Sequence, residues 1–114
     1  MSHDITLFVN GEVASVPRFE EGGTYVLGET TQAELNVTYN YAEHMWKHLG
    51  EGGLKALHGK KAQDTIETLS KAVEALGTDR DSDYWKSTPG NAGFALSILL
   101  SWAKLHPEGE WDVC

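Results

Sequence analysis

The sequence predicts an α+β domain, a small antiparallel sheet packed on two to three helices, and three observations carry that expectation. The first third is rich in strand formers over Asp4–Val9 and alternates with period two over Glu12–Val16 and Ala33–Tyr41. After Tyr41 the apolar spacing becomes helical, most clearly over Ala62–Leu76 and Thr88–Leu105. Gly109–Val113 then supplies a last strand to join the N-terminal sheet. All 114 residues are expected in one domain.

Each element has its own signal. Asp4–Val9 is rich in strand formers, and Asn10-Gly11 is a hairpin turn that returns the chain along Glu12–Val16. A polar loop follows, then a short strand over Gly23–Gly28. In Ala33–Tyr41, residues Leu35, Val37, Tyr39 and Tyr41 share one face, and Glu34, Asn36, Thr38 and Asn40 the other, so the meander has one wet face. Ala42–Leu49 reads as a helix closed by Gly50, and Gly52-Gly53 as a break. Leu54–His58 makes a single turn. Over Ala62–Leu76 the apolar stripe is Ile66, Leu69, Ala72 or Val73, and Leu76, with Gly77 at the end. Thr78–Lys86 is a charged loop. Thr88-Pro89 places a cap before a proline at the first helical position. The helix they open is apolar around nearly its whole circumference, which predicts a central, buried element.

Charge limits the function. Seventeen acidic residues against nine Lys and Arg give a net charge of -8. That excludes direct binding to a DNA or RNA backbone and favours a basic partner. No apolar run reaches the ~20 residues that cross a bilayer. The start lacks the basic and apolar regions of a secretory signal, and the one cysteine, Cys114, has no internal partner, so a cytoplasmic location is expected.

No catalytic pattern stands out, and no cofactor is expected. His44 and His48, four apart on a helix, share a face, but the rest of a zinc spacing is missing and His44-Met-Trp-Lys-His48 is no metalloprotease motif, so they read as surface histidines. Gly50-Glu51-Gly52-Gly53 lacks the Lys-Ser/Thr of a phosphate loop. Cys114 stands at a fraying terminus, and Ser97 and Ser101 lie inside a helix, where they bond back to its carbonyls. The candidate partner-binding residues are Asp79, Asp81, Asp83, Tyr84 and Trp85, an aromatic pair beside three carboxylates. The bland alternative for the same residues is a solvated loop whose aromatics cover the core.

Three stretches carry a resemblance. They are Leu35-Asn36-Val37-Thr38-Tyr39-Asn40-Tyr41, Gly53-Leu54-Lys55-Ala56-Leu57-His58-Gly59-Lys60, and Asp83-Tyr84-Trp85 with Thr88-Pro89-Gly90-Asn91-Ala92. Together they resemble small proteins encoded by bacteriophages and prophages. The resemblance implies expression in a bacterial cytoplasm and, by analogy, a block on a host defence such as a CRISPR effector, with its basic nucleic-acid channel. The leading expectation is thus a non-enzymatic acidic inhibitor of a basic bacterial protein, a defence nuclease or a CRISPR subunit. Homodimerisation is left open. Two alternatives stand beside it: a sponge for a nucleotide immune signal, using Lys55, Lys60, Lys61 and the tyrosines, and a structural or regulatory phage protein.

Overall fold

The computed structural model describes residues 2–18 and 31–114. The short strand expected over Gly23–Gly28 lies outside them. The architecture is α+β, with four antiparallel strands and three α-helices among the described residues.

The N-terminal strand, β1 (Ser2–Val9), organises the sheet because every other strand pairs with it. Asn10 and Gly11 both take positive φ, 53° and 79°, the conformation a two-residue hairpin requires. The returning strand β2 (Glu12–Val13) pairs with β1 for two residues only. Leu7 marks the handover: its N–H donates to Ala33 O and its carbonyl accepts from Ala14 N. From there residues 14–16 pair with residues 31–33. The strand β3 (Glu34–Thr38) then runs beside Ser2–Thr6, and β4 (Glu110–Val113) beside Ile5–Phe8. The sheet is therefore built around its first strand rather than laid down in chain order like a simple meander.

Ile5, Leu7, Leu35, Val37, Trp111 and Val113 point inward and are buried. The strand ends at Thr38, three residues short of the alternation expected through Tyr41. Thr38 Oγ1 accepts from Asn40 N at 3.2 Å and turns the chain into a 3-10 turn over Tyr39–Tyr41. Tyr39 leaves the face it was expected to share and is 41% exposed, whereas Tyr41 is buried.

Three helices cover the inner face: α1 (Ala42–Leu49), α2 (Ile66–Leu76) and α3 (Pro89–Leu105). The residues Ala62–Thr65, expected to be α-helical, form a 3-10 turn instead. A buried hydrogen-bond chain fixes it: Trp111 Nε1 donates to Thr65 Oγ1 at 2.9 Å, and Thr65 Oγ1 donates to Ala62 O at 2.7 Å. α3 is the central helix. Ala92, Ala95, Leu96, Leu99 and Ala103 are fully buried, and Thr88 caps it by accepting from Asn91 N. Ser97 and Ser101 donate to Phe94 O and Ile98 O, as expected of serines inside an apolar helix. The small residues of α3 let the chain leaving α2 pass directly over it. A Cβ on Gly93 would stand 1.7 Å from Gly77 O. Among the described residues, no helix is long and apolar enough to cross a membrane.

Candidate functional site

The strands segregate charge. They hold Asp4, Glu12, Glu34, Glu110 and Asp112, and no lysine or arginine. Residues that stand opposite one another on neighbouring strands share a face at about 4.5–5.5 Å. The registers therefore set out the sheet's outer face as three rows. The first is Asn36, Asp4, Cys114; the second Glu34, Thr6, Asp112; the third Val13, Phe8, Glu110. Four carboxylates thus stand on one wet face, two of them flanking Thr6. Two hollows lie on it. One of about 270 Å³ is lined by Asp4, Thr6, Glu34 and Asn36. A groove of about 540 Å³ is lined by Phe8, His58, Glu108, Glu110 and Asp112.

Little positive charge offsets these acids. His58 Nδ1 accepts the Val113 N–H at 3.0 Å, so in this arrangement it has no proton to give Asp112, 3.7 Å away. Asp4 accepts from Asn36 Nδ2 at 2.7 Å, a neutral donor. Lys61 stands opposite Glu110 in an isolated antiparallel backbone bridge and so adds one cation to the third row, and Lys55 lies near Cys114. The Cys114 thiol donates to Asp112 Oδ2 at 3.6 Å. That bond, and then the charge of Asp112, raise the thiol's pKa above its ordinary value, so it is a poor nucleophile.

The residues proposed from the sequence have a different arrangement. Asp81 Oδ1 accepts from Asp83 N at 2.8 Å and Asp83 Oδ1 from Trp85 N at 3.1 Å, two successive turns closed by their own aspartates. Asp81 also lies 3.9 Å from Lys86 Nζ. Asp79 is exposed, with its carbonyl packed against Gly90. Beneath the loop sits Asn91, 3% exposed. It accepts from Asp81 N and donates to Asp83 O and Lys86 O at 2.9–3.1 Å. Asn40 Nδ2 donates to Trp85 O, and the Tyr41 hydroxyl to Tyr84 O. Tyr84 is half-buried and Trp85 is 40% exposed. Two of the three aspartates thus spend their acceptors on the loop itself, and the aromatics close over Tyr41.

Two predictions arise here. Asn91→Ala leaves the Asp81 N–H without its partner and takes one of two bonds from each of the Asp83 and Lys86 carbonyls, lowering unfolding stability by about 1–3 kcal/mol, measured from urea midpoints. The second concerns alkaline pH. The Tyr41 hydroxyl is pushed up from 10.0 to about 12, chiefly by burial, with Asp83 and Tyr84 adding to the shift and Arg80 opposing it. The fold holds the protonated form, so this stabilisation is complete below about pH 10 and is lost as pH rises through about 12. The melting temperature falls across that window, and Tyr41→Phe flattens the fall.

His44 Nε2 lies 3.3 Å from Ser87 O, a further tie to the same loop. Among the described residues, no three His, Cys, Asp or Glu side chains converge as metal ligands would. Gly50, Gly52 and Gly53 all take positive φ, and a Cβ on Gly53 would meet Met45 Cβ and Trp46 Cδ1 at 3.2 Å. The glycine run is a tight seat for α1.

No family model, curated protein or solved structure matches the chain. Sequence reading found the wet side of β3 through Glu34 and Asn36 but not the acidic face as a whole. The available signal was the absence of Lys and Arg from every strand segment.

Proposed function

We propose that the chain is a non-enzymatic binding protein whose acidic sheet face occupies a basic protein surface made for nucleic acid. One observation carries this reading: the strands hold five carboxylates and no lysine or arginine, with four of the acids on one wet face. No two of these acids are directly opposite; the nearest across strands are diagonal neighbours at about 7–8 Å, where like charges oppose folding weakly. An array that costs stability has its use in what it attracts. A sheet holds its side chains on a fixed lattice, so the charges meet a partner without the ordering cost of a loop. Asp81 and Asp83 of the charged loop are secondary contributors, since one oxygen of each is engaged locally.

The narrower reading places the partner among bacterial defence proteins, a nuclease or a CRISPR subunit, in a bacterial cytoplasm. Its support is the resemblance to small phage proteins together with the charge of -8.

The test uses the folded chain as bait in a nuclease-treated bacterial lysate. The expected result is retention of a basic nucleic-acid-binding protein that is released between about 0.1 and 0.5 M salt, as a charge-driven complex must be. Retention that is indifferent to salt overturns the reading.

A further inference from the structure

Trp46 is 55% exposed, more than any other tryptophan described. Its ring is nevertheless held. The indole edge packs where a side chain on Gly53 would have to go, 3.2 Å from that Cβ position, and Gly53 sits at φ 58°. One side of the indole rests on the glycine turn, and the rest faces solvent. Tyr39, 41% exposed, lines the same shallow notch. Its ring packs on His3 with centroids 4.6 Å apart, and His3 Nδ1 lies 3.1 Å from Cys114 O. Cys114 stands opposite Asp4 in the first row of the acidic face. His3 stands opposite inward-facing Val37, so the aromatic notch lies on the helix side of the sheet, around its end from the acidic face.

We infer that Trp46 and Tyr39 are an arginine-stacking anchor around the end of the sheet from the acidic face, so that the partner presents arginine rather than lysine there. The inference rests on the proposed binding of a basic protein and names the partner's chemistry. Charge complementarity selects the occupant. A second copy brings another -8, and nucleic acid and anionic lipid are repelled likewise. A guanidinium is planar, stacks on an aromatic face and carries donors to spare. Glu43, exposed and three residues before Trp46 on α1, stands in the i, i+3 position where a stacked guanidinium meets a carboxylate. A rigidly seated indole gives up little side-chain freedom on binding, which is what an anchor needs.

The test measures binding of nona-arginine and nona-lysine peptides at low salt, read by tryptophan fluorescence in a Trp85→Phe background and by calorimetry. Nona-arginine is expected to bind about fivefold more tightly and to quench Trp46. Trp46→Ala and Tyr39→Ala abolish that preference and leave nona-lysine affinity unchanged. Trp46→Leu, which keeps an apolar group on the glycine seat, answers the same question if the alanine variant melts early. Equal affinity for the two peptides, or a preference that survives Trp46→Ala, overturns the anchor while the acidic face stands. If neither peptide binds, the acidic-face reading falls and the anchor falls with it.

Discussion

Replacing Asp4 and Asp112 with Asn and Glu34 and Glu110 with Gln weakens binding to the captured basic partner by about 100-fold. Four surface ion pairs at up to about 0.7 kcal/mol each give somewhat under 3 kcal/mol, and every 1.4 kcal/mol is tenfold. The substitutions keep side-chain size and leave the inward residues Ile5, Leu7, Leu35, Trp111 and Val113 untouched. The fold is therefore expected to persist, with a melting temperature at or above that of the parent, because diagonal like-charge neighbours have been removed. Matched substitution of Asp79, Asp81 and Asp83 with Asn separates site from net charge. It removes three charges against four yet is expected to weaken binding less than tenfold, since Asp81 and Asp83 already accept backbone N–H groups. Isothermal calorimetry on the two variants at one ionic strength makes the comparison. Equal losses would mean that total charge matters and the sheet face does not.

Gly93→Ala is expected to be, with Gly90→Ala, among the most damaging single methyls at the described residues, lowering stability by more than about 3 kcal/mol. Two effects compete at Gly93. Alanine in a helix interior gains about 1 kcal/mol over glycine from backbone propensity. Against it, the new Cβ would lie 1.7 Å from Gly77 O and 3.0 Å from Leu76 Cβ. The first obstacle is backbone, which a rotamer change cannot move, so α2 and α3 must separate. Their separation opens a core in which Leu69, Ala72, Leu96 and Leu99 are at most 1% exposed. Ser101→Ala is the control on the same helix: Ser101 is exposed, and its loss is neutral or slightly stabilising. Urea unfolding of both variants reads the difference. A Gly93→Ala protein as stable as the parent would mean that the helices do not pack this closely.

The elements were legible where one local signal sufficed. Asn10-Gly11 announced its hairpin, Thr88-Pro89 the start of α3, and Leu69, Ala72 and Leu76 the buried stripe of α2. Reading failed where a distant partner decided. Ala62–Thr65 carries an acceptable helical pattern, but Thr65 must meet the Trp111 indole from the far end of the chain, and a 3-10 turn puts it there. Tyr39 continues the alternation of β3 and is diverted by the hydroxyl one residue before it.

The site was half legible for the same reason. Period two shows that Glu34 and Asn36 share a face. It cannot show that Thr6 stands between Glu34 and Asp112, because that depends on the register of β4 against β1 across more than a hundred residues. In the Asp79–Asp83 cluster the sequence showed charge but not its local bonding. The spacing Asp81-x-Asp83-x-Trp85 is also that of two aspartate turns, in which each carboxylate binds the backbone two residues on. Buried Asn91, which gathers three backbone groups of the loop, accounts for their rigid placement.

The most direct measurement is a competition. The captured partner is loaded with labelled nucleic acid and titrated with the folded chain at constant salt, with fluorescence anisotropy as the readout. An acidic face seated in a nucleic-acid groove displaces the label completely, and the Asp4, Glu34, Glu110 and Asp112 variant needs about 100-fold more protein to do so. A stable ternary complex, with label and chain bound to the partner together, would contradict it.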